Sequence, residues 1–170
     1  MAPERPRVIA ATLAREMPIG GLSFISRAIM PAKGGPVLHL LRGEALSELA
    51  GGEIYFSEVL PHFIKAWNRH RRQTQNFAVP YGRLLLALYD DRQDSPSRGV
   101  CLGLELGRPD AWGLLRIPPM IWYGFAAAGC EPALICNCAD LPHDPDEAER
   151  HPWETPGMPA CLTEILTRKQ

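Results

Sequence analysis

The chain has almost no net charge: 18 Lys and Arg against 19 Asp and Glu leave −1 at pH 7. That balance gives no electrostatic footprint for nucleic acid, which needs a basic face. No run approaches the ~20 apolar residues of a membrane span, so no membrane partner is expected. The opening stretch, MAPERPRVIAATLARE, has charges on both sides of a short apolar patch. It lacks the long apolar core of a secretory signal, and the expected compartment is the cytoplasm. Cysteine is sparse and odd in number: Cys101, Cys130, Cys136, Cys138 and Cys161. In a reducing compartment that argues against a disulfide framework. Cys136 and Cys138 do not have a usual zinc spacing; in a strand they share one face, as small core residues. Internal repeats and low-complexity segments are also absent.

Glycine and proline are plentiful: 15 and 17 in 170 residues. They are spread along the chain and punctuate short apolar runs, the pattern of an all-β sandwich or barrel. The length fits one domain over residues 1–170. Strands are expected over residues 22–25, 37–41, 53–59, 63–70, 75–80, 83–90, 100–106, 113–117, 121–126 and 133–138. A short apolar element is read at 7–14, a helical turn at 44–49 and a final helix at 161–167. Residues 140–157 read as a polar, Pro-rich surface coil. A double-sheet jelly roll manages the exposed edges of so many short strands.

The stretch IKAWNRHRRQTQNFAVPYGRLLLALYDDR, residues 64–92, organises the rest. Its first half clusters Lys65, Trp67, Asn68, His70, Arg71 and Arg72; its second half is an apolar wall. Tyr81-Gly82 reads as the tight turn of a hairpin, since Gly tolerates positive φ. His70 is a candidate for proton transfer, and Lys65 for holding an oxyanion or a phosphate. Each has a bland alternative, a solvated basic strand whose lysine stem lies on the surface. In a regular strand Lys65, Trp67 and Arg69 share one face, and Asn68 and His70 the other. Lys65 and His70 point inward together only if a bulge lies near Trp67 or Asn68. Asn68 stands where a His-x-His pair would need its first imidazole, so no metal is expected. Tyr123 is either a general acid or a hydrogen-bonded core aromatic. Residues 143–147, HDPDE, read as a capped turn.

Several motifs occur in order along residues 33–147. YDDRQDSPSRG is similar to VDLR-x-x-SPT-x-G, IPPMIWYGF to IPPGFAHGF, FIKAWN to VIRGLH, and CADLPHDPDE to CTDYYxPxxE. Together they resemble the dTDP-4-dehydrorhamnose 3,5-epimerase family, in a divergent branch. The resemblance implies a cupin-like double-stranded β-helix, a homodimer and no cofactor. It also implies an epimerase or isomerase for a nucleotide-linked 4-keto-6-deoxysugar. Asn68 replaces the family's catalytic His, Tyr123 a second His and Lys65 an Arg. Leu141-Pro142 replace its Tyr pair, Gln75 falls near its lysine, and residues 34–39 replace its RGxFxE motif. The expected catalytic set is Lys65 (enolate), His70 (relocated base) and Tyr123 (acid). Trp67, Asn68, Gln75 and Trp122 are expected to bind substrate, with the two indoles roofing the pocket. The alternative is a cupin that binds a sugar without turning it over; a metal-dependent cupin is a third reading.

Overall fold

Alternation along each strand sorts this chain into layers. The computed structural model describes residues 8–10, 17–47, 49 and 51–167. In chain order the elements are β1 (Val8–Ala10), β2 (Ser23–Ser26), β3 (Ile29–Met30), β4 (Val37–Leu38), α1 (Glu44–Ser47), β5 (Glu53–Val59), β6 (Ile64–His70), β7 (Gln75–Tyr81), β8 (Arg83–Asp90), β9 (Cys101–Gly107), β10 (Gly113–Ile117), β11 (Ile121–Ala127), β12 (Ala133–Ala139), β13 (Ala148–Arg150) and α2 (Ala160–Thr167). A six-stranded sheet runs β1-β9-β8-β11-β6-β13 and a five-stranded sheet β2-β10-β7-β12-β5. β3 and β4 form a separate pair. The two large sheets pack face to face as an all-β jelly roll.

Leu84, Leu86 and Leu88 of β8 point between the sheets, where they meet Leu104 of β9, Phe77 of β7 and Leu115 of β10. Their neighbours Leu85 and Ala87 point the other way, beneath Leu162, Ile165 and Leu166 of α2. With both faces of β8 covered, its sequence is a continuous apolar run rather than an alternating one. Each leucine so buried contributes about 2 kcal/mol. Cys136 and Cys138 share the outer face of the five-stranded sheet with Ala78 and Leu114, beneath Leu38, Leu40 and Leu49.

Four expectations are corrected. β7 and β8 are not a hairpin: β7 bonds to β10 and β12, and β8 to β9 and β11. Gly82, at φ 69°, is a corner at which the chain crosses from one sheet to the other. A Cβ there would strike the Pro132 carbonyl oxygen. Pro118-Pro119 make a like crossing from β10 to β11. Second, the segment read as coil contains β13, which pairs with β6 so that Ala148 faces His70. Third, Cys101 and Cys161 form a disulfide that ties α2 to β9. Fourth, the strand expected over 37–41 is only Val37–Leu38. The element read at 7–14 is β1 over Val8–Ala10, and its other residues lie outside the described ones. No described helix is long and apolar enough to cross a membrane.

Candidate active site

β6 carries the site, and a bulge arranges it. Its pairing with β11 sets Asn68 opposite Tyr123 and Lys65 opposite Phe125. Two steps along β11 therefore span three along β6, which places an extra residue at Ala66-Trp67. The peptide between those residues is cis. The extra residue brings Lys65, Asn68 and His70 onto one wall of a cavity of about 320 Å³ between the sheets. Tyr123 and Phe125 complete that wall from β11. The facing wall comes from the five-stranded sheet: Tyr55 and Ser57 of β5, Phe77 of β7, and Ile135 and Asn137 of β12. His143 and Arg150 also line the cavity.

Glu147, His70 and Tyr123 form a hydrogen-bonded chain. The turn after β6 aims the N–H groups of Arg72 and Gln73 at Glu147 Oε1, 2.6 and 2.7 Å away. The other oxygen, Oε2, lies 2.6 Å from His70 Nδ1. An ionised carboxylate only accepts, so Nδ1 carries the proton and donates it. Nε2 is left as an acceptor, 3.0 Å from the Tyr123 hydroxyl. Burial pushes the Glu147 carboxyl upward. The two N–H groups and the imidazole outweigh that, and its pKa ends below the ordinary value. Burial drives the Tyr123 phenol far above its ordinary pKa, so it stays protonated and donates to Nε2. The buried carboxylate thus holds the His70 imidazole in one tautomer and one orientation.

Lys65 is exposed at this wall. Its ammonium donates to the Glu58 carbonyl at 2.6 Å and the Ser57 hydroxyl at 3.1 Å, leaving an N–H for a ligand. The rest of the basic cluster is neutralised by Asp91 and by two acids of the 140–157 segment. Arg69 pairs with Asp91 and Glu149, Arg71 with Glu149, and Arg72 with Asp144. Asp144 Oδ1 also caps the turn at the Asp146 N–H, 3.0 Å away. Among the described residues, no group of three or more His, Cys, Asp or Glu side chains is placed to hold a metal ion.

The structure thus brings Lys65, Asn68, His70 and Tyr123 to one cavity and excludes both tryptophans. Trp67, fully buried, faces outward, as alternation from inward-facing Asn68 requires. It stacks on Trp153 at 5.2 Å, in the layer beneath α2. Trp122 precedes inward-facing Tyr123 on β11, so alternation sends it outward as well. Its indole N–H donates to Asp91 Oδ2 at 3.1 Å, and the Arg69 guanidinium lies 4.4 Å from its ring centroid. Tyr55, Phe77, Tyr123 and Phe125 are the cavity's aromatic groups instead. Gln75 does not line the cavity; it sits behind Asn137 and accepts that side chain's N–H at 2.6 Å. Sequence reasoning missed Glu147, although it closes the CADLPHDPDE motif, and missed Tyr55 and Arg150.

No protein-family model matches the chain. A probable low-salt glycan biosynthesis epimerase of Haloferax volcanii is 38% identical over 104 residues, 59% of this chain and 65% of that protein. A spore coat polysaccharide biosynthesis protein of Bacillus subtilis is 30% identical over 105 residues, 61% of this chain and 69% of that protein. The crystal structure of a dTDP sugar isomerase from Desulfovibrio desulfuricans superposes with a TM-score of 0.79 at 51% identity, covering 83% of this chain and 90% of that one. On the sequence relatives, the fold and the ordered motifs, the chain belongs to the dTDP-4-dehydrorhamnose 3,5-epimerase family.

Proposed function

We propose that the protein is an epimerase or isomerase of a dTDP-linked 4-keto-6-deoxysugar, working through a relocated base. The observation that carries this reading is the Glu147–His70–Tyr123 chain, closed by bonds of 2.6 and 3.0 Å beside Lys65. When the sugar enters, the Tyr123 hydroxyl turns from His70 Nε2 to the C4 carbonyl oxygen. Nε2 is then free to take the proton from the carbon next to the ketone. The electron pair moves onto the carbonyl oxygen, where Lys65 and Tyr123 hold the enolate. Glu147 stabilises the imidazolium that forms. Asn68, where the family has its His, lines the cavity without titrating and contacts the sugar. Arg150, on the same cavity, is the cation for the diphosphate.

Names of similar proteins support the class: one is a dTDP sugar isomerase, another a glycan biosynthesis epimerase. Exposed Ile54 and Phe56 on edge strand β5 support a homodimer, and a single inter-sheet core supports one domain. We assign the reaction to the cytoplasm, where nucleotide sugars are made; the disulfide is the feature that opposes this. The test is incubation with dTDP-4-keto-6-deoxyglucose in deuterium oxide, followed by NMR. Deuterium is expected next to the ketone, and His70→Ala is expected to slow its entry ~10²-fold or more. No incorporation by the unaltered protein would end the reading.

A further inference from the structure

An inverting proton transfer needs two groups on opposite sides of the sugar, one to take the proton and one to return it. Tyr123 does not meet that need. Its hydroxyl is 3.0 Å from His70 Nε2, and its strand is hydrogen-bonded to the strand of His70. Both groups therefore belong to the same wall. The facing wall offers a different phenol, Tyr55 of β5, next to Asn137 of the neighbouring strand β12.

The hydrogen bonds around Tyr55 have a fixed direction. The Asn76 backbone N–H donates to Asn137 Oδ1 at 3.1 Å, which decides how that amide is turned. Its Nδ2 then donates to two oxygens: Gln75 Oε1 at 2.6 Å and the Tyr55 hydroxyl at 2.8 Å. Gln75 passes the polarity on to Gln73 Oε1 at 2.6 Å, and Gln73 Nε2 ends the series on the Leu141 carbonyl, also at 2.6 Å. A backbone donor at one end and a backbone carbonyl at the other lock the whole series. Tyr55 is thereby an acceptor toward Asn137, and its own proton is directed elsewhere. Three buried polar side chains, Asn137, Gln75 and Gln73, thus fix the hydrogen bond that Tyr55 accepts.

Building on the His70 reading above, we propose that Tyr55 is the proton donor on the face of the sugar opposite His70, and so the residue responsible for inversion. In the step, His70 Nε2 takes the proton from carbon, and the electron pair goes to the carbonyl oxygen. The enolate collapses, its carbon takes the Tyr55 O–H proton from the far side, and the C=O bond re-forms. A Tyr55 phenolate remains, held by the Asn137 N–H. It regains a proton from water, since Tyr55 is 41% exposed, and the imidazolium releases its proton to water. One proton leaves carbon and one returns, with no net redox change. Tyr123, hydrogen-bonded to the base, keeps the role of enolate donor.

The test separates deprotonation from inversion. Wild type and Tyr55→Phe are each given dTDP-4-keto-6-deoxyglucose in deuterium oxide, and NMR follows both deuterium entry and configuration at the exchanging carbon. Tyr55→Phe removes one oxygen from a half-exposed ring, and its melting temperature serves as a folding control. It is expected to exchange within a few-fold of the wild-type rate while inverting ~10²-fold more slowly, the size of losing a general acid. Asn137→Leu is expected to show the same split to a smaller extent. Inversion and exchange both at the wild-type rate in Tyr55→Phe, or both lost in step, would overturn the proposal and leave the His70 reading intact. Exchange without inversion by the wild type would overturn it as well, because no far-side donor would then be needed. No exchange by the wild type would remove the His70 reading and this one with it.

Discussion

Gly124 on β11 lies flat against the indole of Trp67 on β6. A Cβ at Gly124 would come within 2.7 Å of the ring and 2.8 Å of the Ala66 Cβ. The contact falls at the β6 bulge, on the residues whose placement turns Lys65 and His70 to the same side. Trp67 is fully buried and has no room to retreat. Gly124→Ala is therefore expected to cost about 2 kcal/mol as an overpacking change, seen as a lower denaturation midpoint. It should also lower turnover of the nucleotide sugar by more than the stability loss explains, because the bulge shifts. An alanine variant with wild-type midpoint and turnover would show that the close approach has no such role.

Glu147→Gln tests how His70, the proposed base, is held. One carboxylate oxygen serves the Arg72 and Gln73 N–H groups, and the other serves His70. An amide must give its oxygen to one side. If that side is the N–H pair, its NH₂ faces His70 Nδ1 and donates to it. The imidazole then carries its proton on Nε2, the wrong tautomer for a base. Turnover is expected to fall by ~10²-fold or more, with KM changed little. A drop of less than about fivefold would mean that Glu147 only ties β13 to β6.

Much of the fold was legible because it is written in local patterns. β5 and β10 begin and end where the sequence reading expects strands, β5 from its alternation. The bulge was required by the need to turn Lys65 and His70 to one side, and the register provides it. What escaped depends on partners distant in sequence. The Gly82 corner looks like a hairpin turn because Gly serves both, and only the pairing of β7 and β8 with other strands distinguishes them. β13 is three residues long, too short for a period, and with it went Glu147, 77 residues from His70. The sequence expectation puts both tryptophans in the pocket, whereas alternation from Asn68 and His70 sends Trp67 to the other side of the sheet. Tyr55 looked like any β-forming residue, since its meaning lies in the orientation of an amide on β12.

Asp90 is the hub of the loop that follows β8. Its carboxylate accepts from the Ser95 and Ser97 hydroxyls, each at 2.6 Å, and from Arg92 Nε and Nη2 at 2.9 and 2.8 Å. Burial pushes its pKa up, but Arg92 and the two serines together hold it far below the carboxylate range. A depressed native pKa contributes stability above the unfolded value, about 4, and that contribution is lost as pH falls below it. Asp90→Asn is expected to cost roughly 3 kcal/mol at neutral pH by leaving Arg92 unpaired. The gap to wild type should narrow steadily between about pH 4 and pH 2. Urea midpoints across that range check it, and a gap that stays constant would remove Asp90 from the acid response.

The last prediction concerns the Cys101–Cys161 disulfide, which closes a separation of 60 residues. Chain-entropy arguments give a loop of that length about 4 kcal/mol of stabilisation, an upper figure if the native geometry gives some back. The bond anchors α2, whose Leu162, Ile165 and Leu166 cover the outer layer with Trp67. Trp67 in turn is held against the bulge that presents Lys65 and His70. Reduction should therefore lower the melting temperature and loosen α2 first, detected as faster amide exchange over 160–167 than in the strands. Thiol titration of the unfolded, unreduced protein should find three thiols, Cys130, Cys136 and Cys138. Cys161→Ser should match the reduced wild type in stability and no longer respond to reductant. If titration finds five thiols, or if reductant leaves the wild-type melting temperature unchanged, the bond does not hold α2 in place. The layer beneath α2 would then rest on its apolar contacts alone.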